Sequence, residues 1–204
     1  SLLEAQAGLV SGSVVFLAPG EATAMDRTIR LITLALTSVP FQQKIARNAP
    51  ELARRPQANA GGILGFDFHL GGPTPQLIEI NTNPGGLLVS LELARAATAS
   101  CDCLTEPVSV LAAAGVEISQ LGQRISDSFL AEWTSARGEV PLRSIAIVDD
   151  EPQSQYLYPE FLLYQRLLER AGWSVLIADA TSLELRGDAV LLADERIDLI
   201  YNRV

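Results

Sequence analysis

The sequence is poor in the residues that build most reactive centres. Its two cysteines, Cys101 and Cys103, stand one residue apart. That spacing is too short for an ordinary disulfide framework and too sparse for a structural zinc site. Two reduced cysteines at a helix end is the plainer reading. His69 is the sole histidine, so a Ser-His-Asp triad would rest on that one residue. Lys44 is the sole lysine, and every other cation is arginine. Basic residues number 15 against 24 acidic ones, for a net charge of −9. With no basic stripe, nucleic acid is not an expected partner. No apolar run approaches the roughly 18 residues of a membrane span. The N-terminus lacks the basic segment of a signal peptide. A cytoplasmic protein with no membrane partner is the expectation.

What is present is a chain of 204 residues, 48% hydrophobic, enough for one sizeable domain or two small ones. A short strand-like run, SGSVVFLAPG, precedes a helix expected from about Glu21 to Val39, with acids in its first turn. One or two short helices follow, broken before Pro50. Residues 63–70 and 76–82 read as two strands joined by the turn-rich GGPTP. An alanine-rich helix follows Gly85-Gly86, and a second periodic helix ends at Gly138. Residues 102–117 are weakly patterned.

Near Gly138-Pro141 the pattern changes to strand SIAIVDD, helix Tyr158 to Arg170, a glycine stop at Gly172 and strand WSVLIAD. This is a βαβ unit, expected to be parallel. A hairpin-like stretch and a third core strand, Ile197 to Arg203, come next. The expected division is a helical and hairpin region over 1–138 and an α/β region over 139–204. A parallel unit of this kind normally continues past such a strand, so the chain is expected to be a piece of a longer protein.

The polar positions in the two early strands need an explanation. Leu64, Phe66, Phe68 and Leu70 share one face of the first strand, and Gly65, Asp67 and His69 the other. In the second, Ile78 and Ile80 share a face opposite Glu79 and Asn81. Pairing through a five-residue loop sets Asp67 across from Glu79, a register that a slip of one residue would destroy. Facing carboxylates repel. A divalent cation or a cationic ligand group between them would remove the conflict, and carboxylate and amide oxygens suit magnesium before zinc. The alternative is that Glu79 and Asn81 face solvent on a half-buried sheet. Asn83-Pro84-Gly85-Gly86 is equally readable as an ordinary turn. It is also readable as a backbone a substrate can approach closely, opening a helix at an anion-friendly N-terminus. A surface or hydrogen-bonded role suits His69, and a solvated capping turn suits Asp149-Asp150-Glu151.

The segment GILGFDFHLGGPTPQLIEINTNPGGLL resembles the strand–turn–strand of ATP-grasp ligases, whose magnesium-binding strand carries Glu-Ile-Asn. More narrowly it is similar to the eukaryotic-type, circularly permuted glutathione synthetases. The order matches: Asp67, then Ile78-Glu79-Ile80-Asn81-Thr82, then Gly85-Gly86. Residues 143–204 are similar to the start of that family's substrate-binding α/β segment, with IDLIYNR resembling its strand ending in Tyr-X-Arg. The resemblance covers about residues 60–90 and 143–204.

It implies a helical and β-hairpin portion of an ATP-grasp domain, followed by a Rossmann-like parallel βαβ substrate-binding segment. It implies Mg2+ held by Glu79 and Asn81, ATP as co-substrate, and substrate contacts at Asp67, Asn83, Gly85, Gly86, Gln155, Glu160, Tyr201 and Arg203. Arg203 would hold a substrate carboxylate, which suits its bidentate fork. The reaction implied is carboxylate activation as an acyl phosphate and transfer to an amine. The partners implied are a small amino-acid or peptide-like substrate and the remainder of the ATP-grasp domain beyond Val204; a homodimer is a further option that the sequence leaves open. Gly65 stands where the family has a substrate-binding arginine, and Asn83-Pro84 replaces its serine-bearing insert. These departures point to an acceptor other than that of glutathione synthesis. With a single lysine and no glycine-rich lid, the chain alone is not expected to turn over. A scaffold domain that has lost the nucleotide site is the rival reading. A flavodoxin-like or receiver module, suggested by IVDDEP, ranks lower, because the third strand ends in Tyr201-Asn202-Arg203 and no lysine follows.

Overall fold

The computed structural model describes residues 17–55, 58, 61–100 and 118–204. The strand-like run up to Phe16, Cys101, Cys103 and the whole weakly patterned stretch 102–117 lie outside them. Packing divides the described residues into two units, one up to Pro84 and one from Gly85 to Val204. No described helix is long and apolar enough to cross a membrane.

The first unit opens with α1 (Pro19–Leu36) and α2 (Val39–Ala46). Proline sits in the first turn of each, where its missing N–H costs nothing. The Glu21 carboxylate accepts the Ala18 N–H at 2.8 Å and closes the α1 N-terminus. A 3-10 turn over Glu51–Arg54 follows. Strands β1 (Gly65–His69) and β2 (Gln76–Asn81) form an antiparallel hairpin.

The register sets Gly65 against Asn81, Phe66 against Ile80 and Asp67 against Glu79. It then shifts, so that Phe68 meets Leu77 and His69 meets Gln76. Ile78 is therefore the extra residue of a β-bulge. The expectation that Ile78 and Ile80 behave alike is corrected by this bulge. Ile78 is 68% exposed, whereas Ile80 is half-buried.

The second unit contains α3 (Leu87–Ser100), α4 (Ile118–Arg137), β3 (Ser144–Asp149), α5 (Tyr158–Arg170) and β4 (Ser174–Asp179). Strands β5 (Leu183–Arg186), β6 (Ala189–Leu192), β7 (Glu195–Ile197) and β8 (Leu199–Asn202) complete it. Strands β4, β3 and β8 form a parallel sheet in that order, and β5, β6 and β7 an antiparallel meander. Helices α3 and α4 both pack on α5, which groups them with the α/β segment. The packing boundary thus falls at Pro84/Gly85, well before the change of pattern near Gly138.

Every residue of β3 is buried, as befits a parallel strand covered on both faces. Ala146 and Val148 pack with Ile197, Leu183, Val190 and Leu192 from the meander side. Alternation turns Ile145 and Ile147 to the other face. Phe129, Tyr164 and Tyr201 form edge-on aromatic contacts, with centroids 5.1 Å apart for Phe129–Tyr201 and for Tyr164–Tyr201. Burial of each such large side chain contributes about 1.5–3 kcal/mol.

The single strand expected over Ile197 to Arg203 is instead two, broken at Asp198. The Asp198 carboxylate accepts the Arg143 N–H at 2.9 Å, and its own N–H donates to Ser144 Oγ at 3.1 Å. These bonds tie it to the start of β3 and take it out of either ladder.

Candidate functional site

The residues singled out in the sequence fall into two groups, one in each unit. In the first unit, the hairpin brings Asp67 and Glu79 into direct cross-strand register. Both are exposed. Asn81, two pairs further along on the same face, donates its amide N–H to Asp67 Oδ2 at 3.1 Å. That bond leaves the amide oxygen as the donor atom Asn81 can offer a cation. Two carboxylates and an amide oxygen on neighbouring positions make a hard, oxygen-only donor set of the kind magnesium takes. Asn83 is exposed just past the end of β2. His69 is exposed too, and its Nδ1 accepts the Gly71 N–H at 3.4 Å, a long bond within the turn.

Gly65 has a local reason to be glycine. A Cβ there would lie 2.8 Å from Pro84 Cβ. Gly65 and Pro84 therefore lie against each other. A side chain at 65 and the proline at 84 exclude each other.

In the second unit, the expected residues converge on the carboxyl end of the parallel sheet. Ligands of open α/β sheets bind at that end, where the strand order reverses. Strand β8 delivers Tyr201 and Arg203 there, and the Arg203 N–H donates to Val148 O at 2.8 Å. Arg203 Nη1 donates to the Tyr201 hydroxyl at 3.0 Å, and Nη2 lies 3.9 Å from Glu160 Oε2. The guanidinium sits 5.3 Å from the Tyr201 ring centre and 5.8 Å from that of Phe161. Its side chain is only 5% exposed.

Glu160, expected from the resemblance to meet substrate, is fully buried and holds the start of α3. Its Oε2 accepts the Gly86 N–H at 2.8 Å and its Oε1 the Leu88 N–H at 2.9 Å. A helix N-terminus leaves N–H groups unsatisfied and favours negative charge. An internal carboxylate fills that role here. The anion-friendly end read into Gly85-Gly86 is real, and Glu160 is the anion that occupies it. Gly86 takes a φ of +87°, a conformation only glycine adopts freely. At Gly85 a Cβ would collide with Leu157 Cδ1 and lie 3.2 Å from Arg203 Nη2. The glycine pair thus lets α3 begin hard against α5 and β8.

Gln155 is half-buried and donates its amide N–H to Asp150 O at 2.7 Å. The acidic turn after β3 is tied by carboxylates: Asp149 accepts the Asp150 N–H, and Asp179 accepts the Glu151 N–H, each at 2.8 Å. Asp179 also accepts the Thr181 hydroxyl and N–H. The Thr181 hydroxyl, then the Glu151 and Thr181 amides, hold its carboxyl below the usual range. The capping expectation for Asp149-Asp150-Glu151 is corrected: Glu151 precedes the 3-10 turn Pro152–Ser154 without a side-chain bond to it, Asp149 is buried, and the carboxylate that caps a turn is Asp179.

Sequence reasoning missed Tyr164. Its hydroxyl is buried without a hydrogen-bond partner among the described residues, next to the Tyr201 ring. Burial first, and Tyr201 beside it, push its phenol far above the ordinary tyrosine value. Tyrosine at a core position of an amphipathic helix gives no such signal in one dimension. Among the described residues no group of three or more acidic, histidine or cysteine side chains is placed to hold a metal. The hairpin set has two carboxylates and depends on its amide. No family model, curated protein or solved structure matches the chain.

Proposed function

We propose that the chain is part of an ATP-dependent carboxylate–amine ligase of the ATP-grasp kind. The observation that supports the reading is the hairpin, where Asp67 stands opposite Glu79 and Asn81 reaches Asp67 from two pairs along the same face. Packing alone does not call for two exposed carboxylates in register, and their repulsion is what a divalent cation would relieve. In this reading Glu79 and Asn81 hold magnesium and Asp67 faces substrate. When bound, Mg-ATP supplies the phosphoryl group that activates a carboxylate. The chain's residues orient the reactants and balance charge on the transferring phosphate.

Arg203 is the residue proposed for a substrate carboxylate, with Tyr201 fixing its Nη1. Gly85, Gly86 and Gln155 shape the backbone around it. Glu160 takes a different part: it sets the start of α3 and the position of Gly86. The Gly65–Pro84 contact favours an acceptor unlike that of glutathione synthesis, since it removes the arginine the resemblance would put there.

A non-catalytic binding domain is the second reading. The single lysine favours it, as does the burial of Arg203 beside Glu160. A ligation assay separates the two. ADP release dependent on magnesium and an amine acceptor, tested across amino acids and short peptides with the longest product of this reading frame, supports the ligase. ADP release from no combination rejects it.

A further inference from the structure

At the edge of the parallel sheet where β3 and β4 begin, away from Arg203, lies a groove of about 540 Å3. That volume is in the range of small-molecule sites. Its lining carries three arginines, Arg137, Arg143 and Arg196, against two carboxylates, Glu195 and Asp198. In a chain of net charge −9 this local excess of cations runs against the average. Asp198 is largely committed within the fold, since it accepts the Arg143 N–H and lies 3.7 Å from Arg196 Nε. It therefore offsets Arg196; Arg137 and Arg143 are both exposed in the groove against the one remaining carboxylate, Glu195, so the lining keeps an excess of one positive charge.

The arrangement is held in place from below. The Trp133 indole N–H donates to Val140 O at 2.6 Å, which fixes a ring that is 5% exposed. The Arg137 guanidinium lies 5.8 Å from that ring's centre. An arginine stacked on an aromatic keeps its donor fork oriented and sacrifices less rotamer freedom on binding. Val140, 57% exposed, adds an apolar wall beside it. Ser144 Oγ donates to Arg196 O at 2.7 Å and pins the β7 side.

We infer that this groove binds a small multivalent oxyanion, phosphoryl or carboxylate, through Arg137 and Arg143, with the ligand's apolar part against Val140. It is separate from the residues proposed for ligation and does not depend on that reading. Arginine forks recognise both anion types bidentately, so the chemistry is shared.

The test is calorimetric titration of the chain with pyrophosphate and, separately, with citrate, at ionic strength matched with sodium chloride. Saturable binding of either ligand, weakened at least fivefold by Arg137→Gln or by Arg143→Gln, supports the site. The tighter ligand identifies the source. Should an arginine variant lose the native circular dichroism, Val140→Glu decides instead, because it adds a carboxylate at an exposed position. Absence of saturable binding by both ligands overturns the inference. So does binding that changes less than fivefold in every folded variant.

Discussion

Asp67 on β1 lies directly across the hairpin from Glu79 on β2. Like charges in that position oppose strand pairing by up to about 1 kcal/mol. In metal-free buffer, Glu79→Gln should raise stability by a few tenths of a kcal/mol to about 1 kcal/mol. Added magnesium should raise the melting temperature of the wild type and leave the variant unmoved. Thermal denaturation with EDTA and with Mg2+ checks both. A variant less stable than the wild type in EDTA would mean that Glu79 is held by favourable contacts.

Gly65 and Pro84 form the second constraint on the hairpin. Gly65→Ala should cost about 1–3 kcal/mol, because its Cβ would meet the proline ring. A double-mutant cycle with Pro84→Ala should show coupling of about 0.5–3 kcal/mol. Urea denaturation of the four proteins measures it. Additive effects would mean that the two positions do not interact.

Glu160 has two backbone donors and a buried arginine beside it. Glu160→Ala should cost about 3–5 kcal/mol, the range for breaking a buried charge pair from one side. Glu160→Gln keeps one acceptor oxygen and should cost less. Equilibrium unfolding in urea reads both. Equal losses in the two variants would show that the cap hydrogen bonds matter little beside the charge.

Tyr164 gives the chain a defined alkaline weakness. Its folded-state pKa is raised, so the stability tied to its neutral phenol is complete below the ordinary tyrosine value of about 10. It is lost as pH rises above that value, where the unfolded chain releases the proton and the folded chain retains it. Tyr164→Phe removes an unpartnered hydroxyl, so it should be neutral or stabilising at pH 7. The variant should also lose stability less steeply between pH 10 and pH 11. Melting temperature against pH distinguishes this from a hydroxyl that makes a useful bond, whose loss would destabilise at pH 7.

Local chemistry was legible where the determinants are local. The helix at Tyr158–Arg170 has the expected bounds, with Pro159 in its first turn and Gly172 at φ +100° beyond its end. The Asp67–Glu79 pair is the one expected, but the route to it differs: His69 rather than Leu70 faces Gln76, and the bulge at Ile78 restores the register. The bulge was not legible, because an extra unpaired residue leaves the apolar pattern of β2 unchanged. The break at Asp198 depends on Arg143 and Ser144, more than 50 positions earlier. The pairing of Glu160 with Gly86 and Leu88 spans more than 70 positions. A glutamate in the first turn of a helix reads as a local dipole partner. Only the fold shows that the N-terminus it serves belongs to another helix.

We propose that the Asp67–Glu79–Asn81 face is a magnesium site for a nucleotide. Calorimetric titration with Mg-ATP tests it most directly, on this chain and on the longest product of its reading frame, each alongside Glu79→Gln. Magnesium-dependent binding that Glu79→Gln abolishes is the expected result. Absence of binding by either protein, or binding undiminished by the substitution, would contradict it.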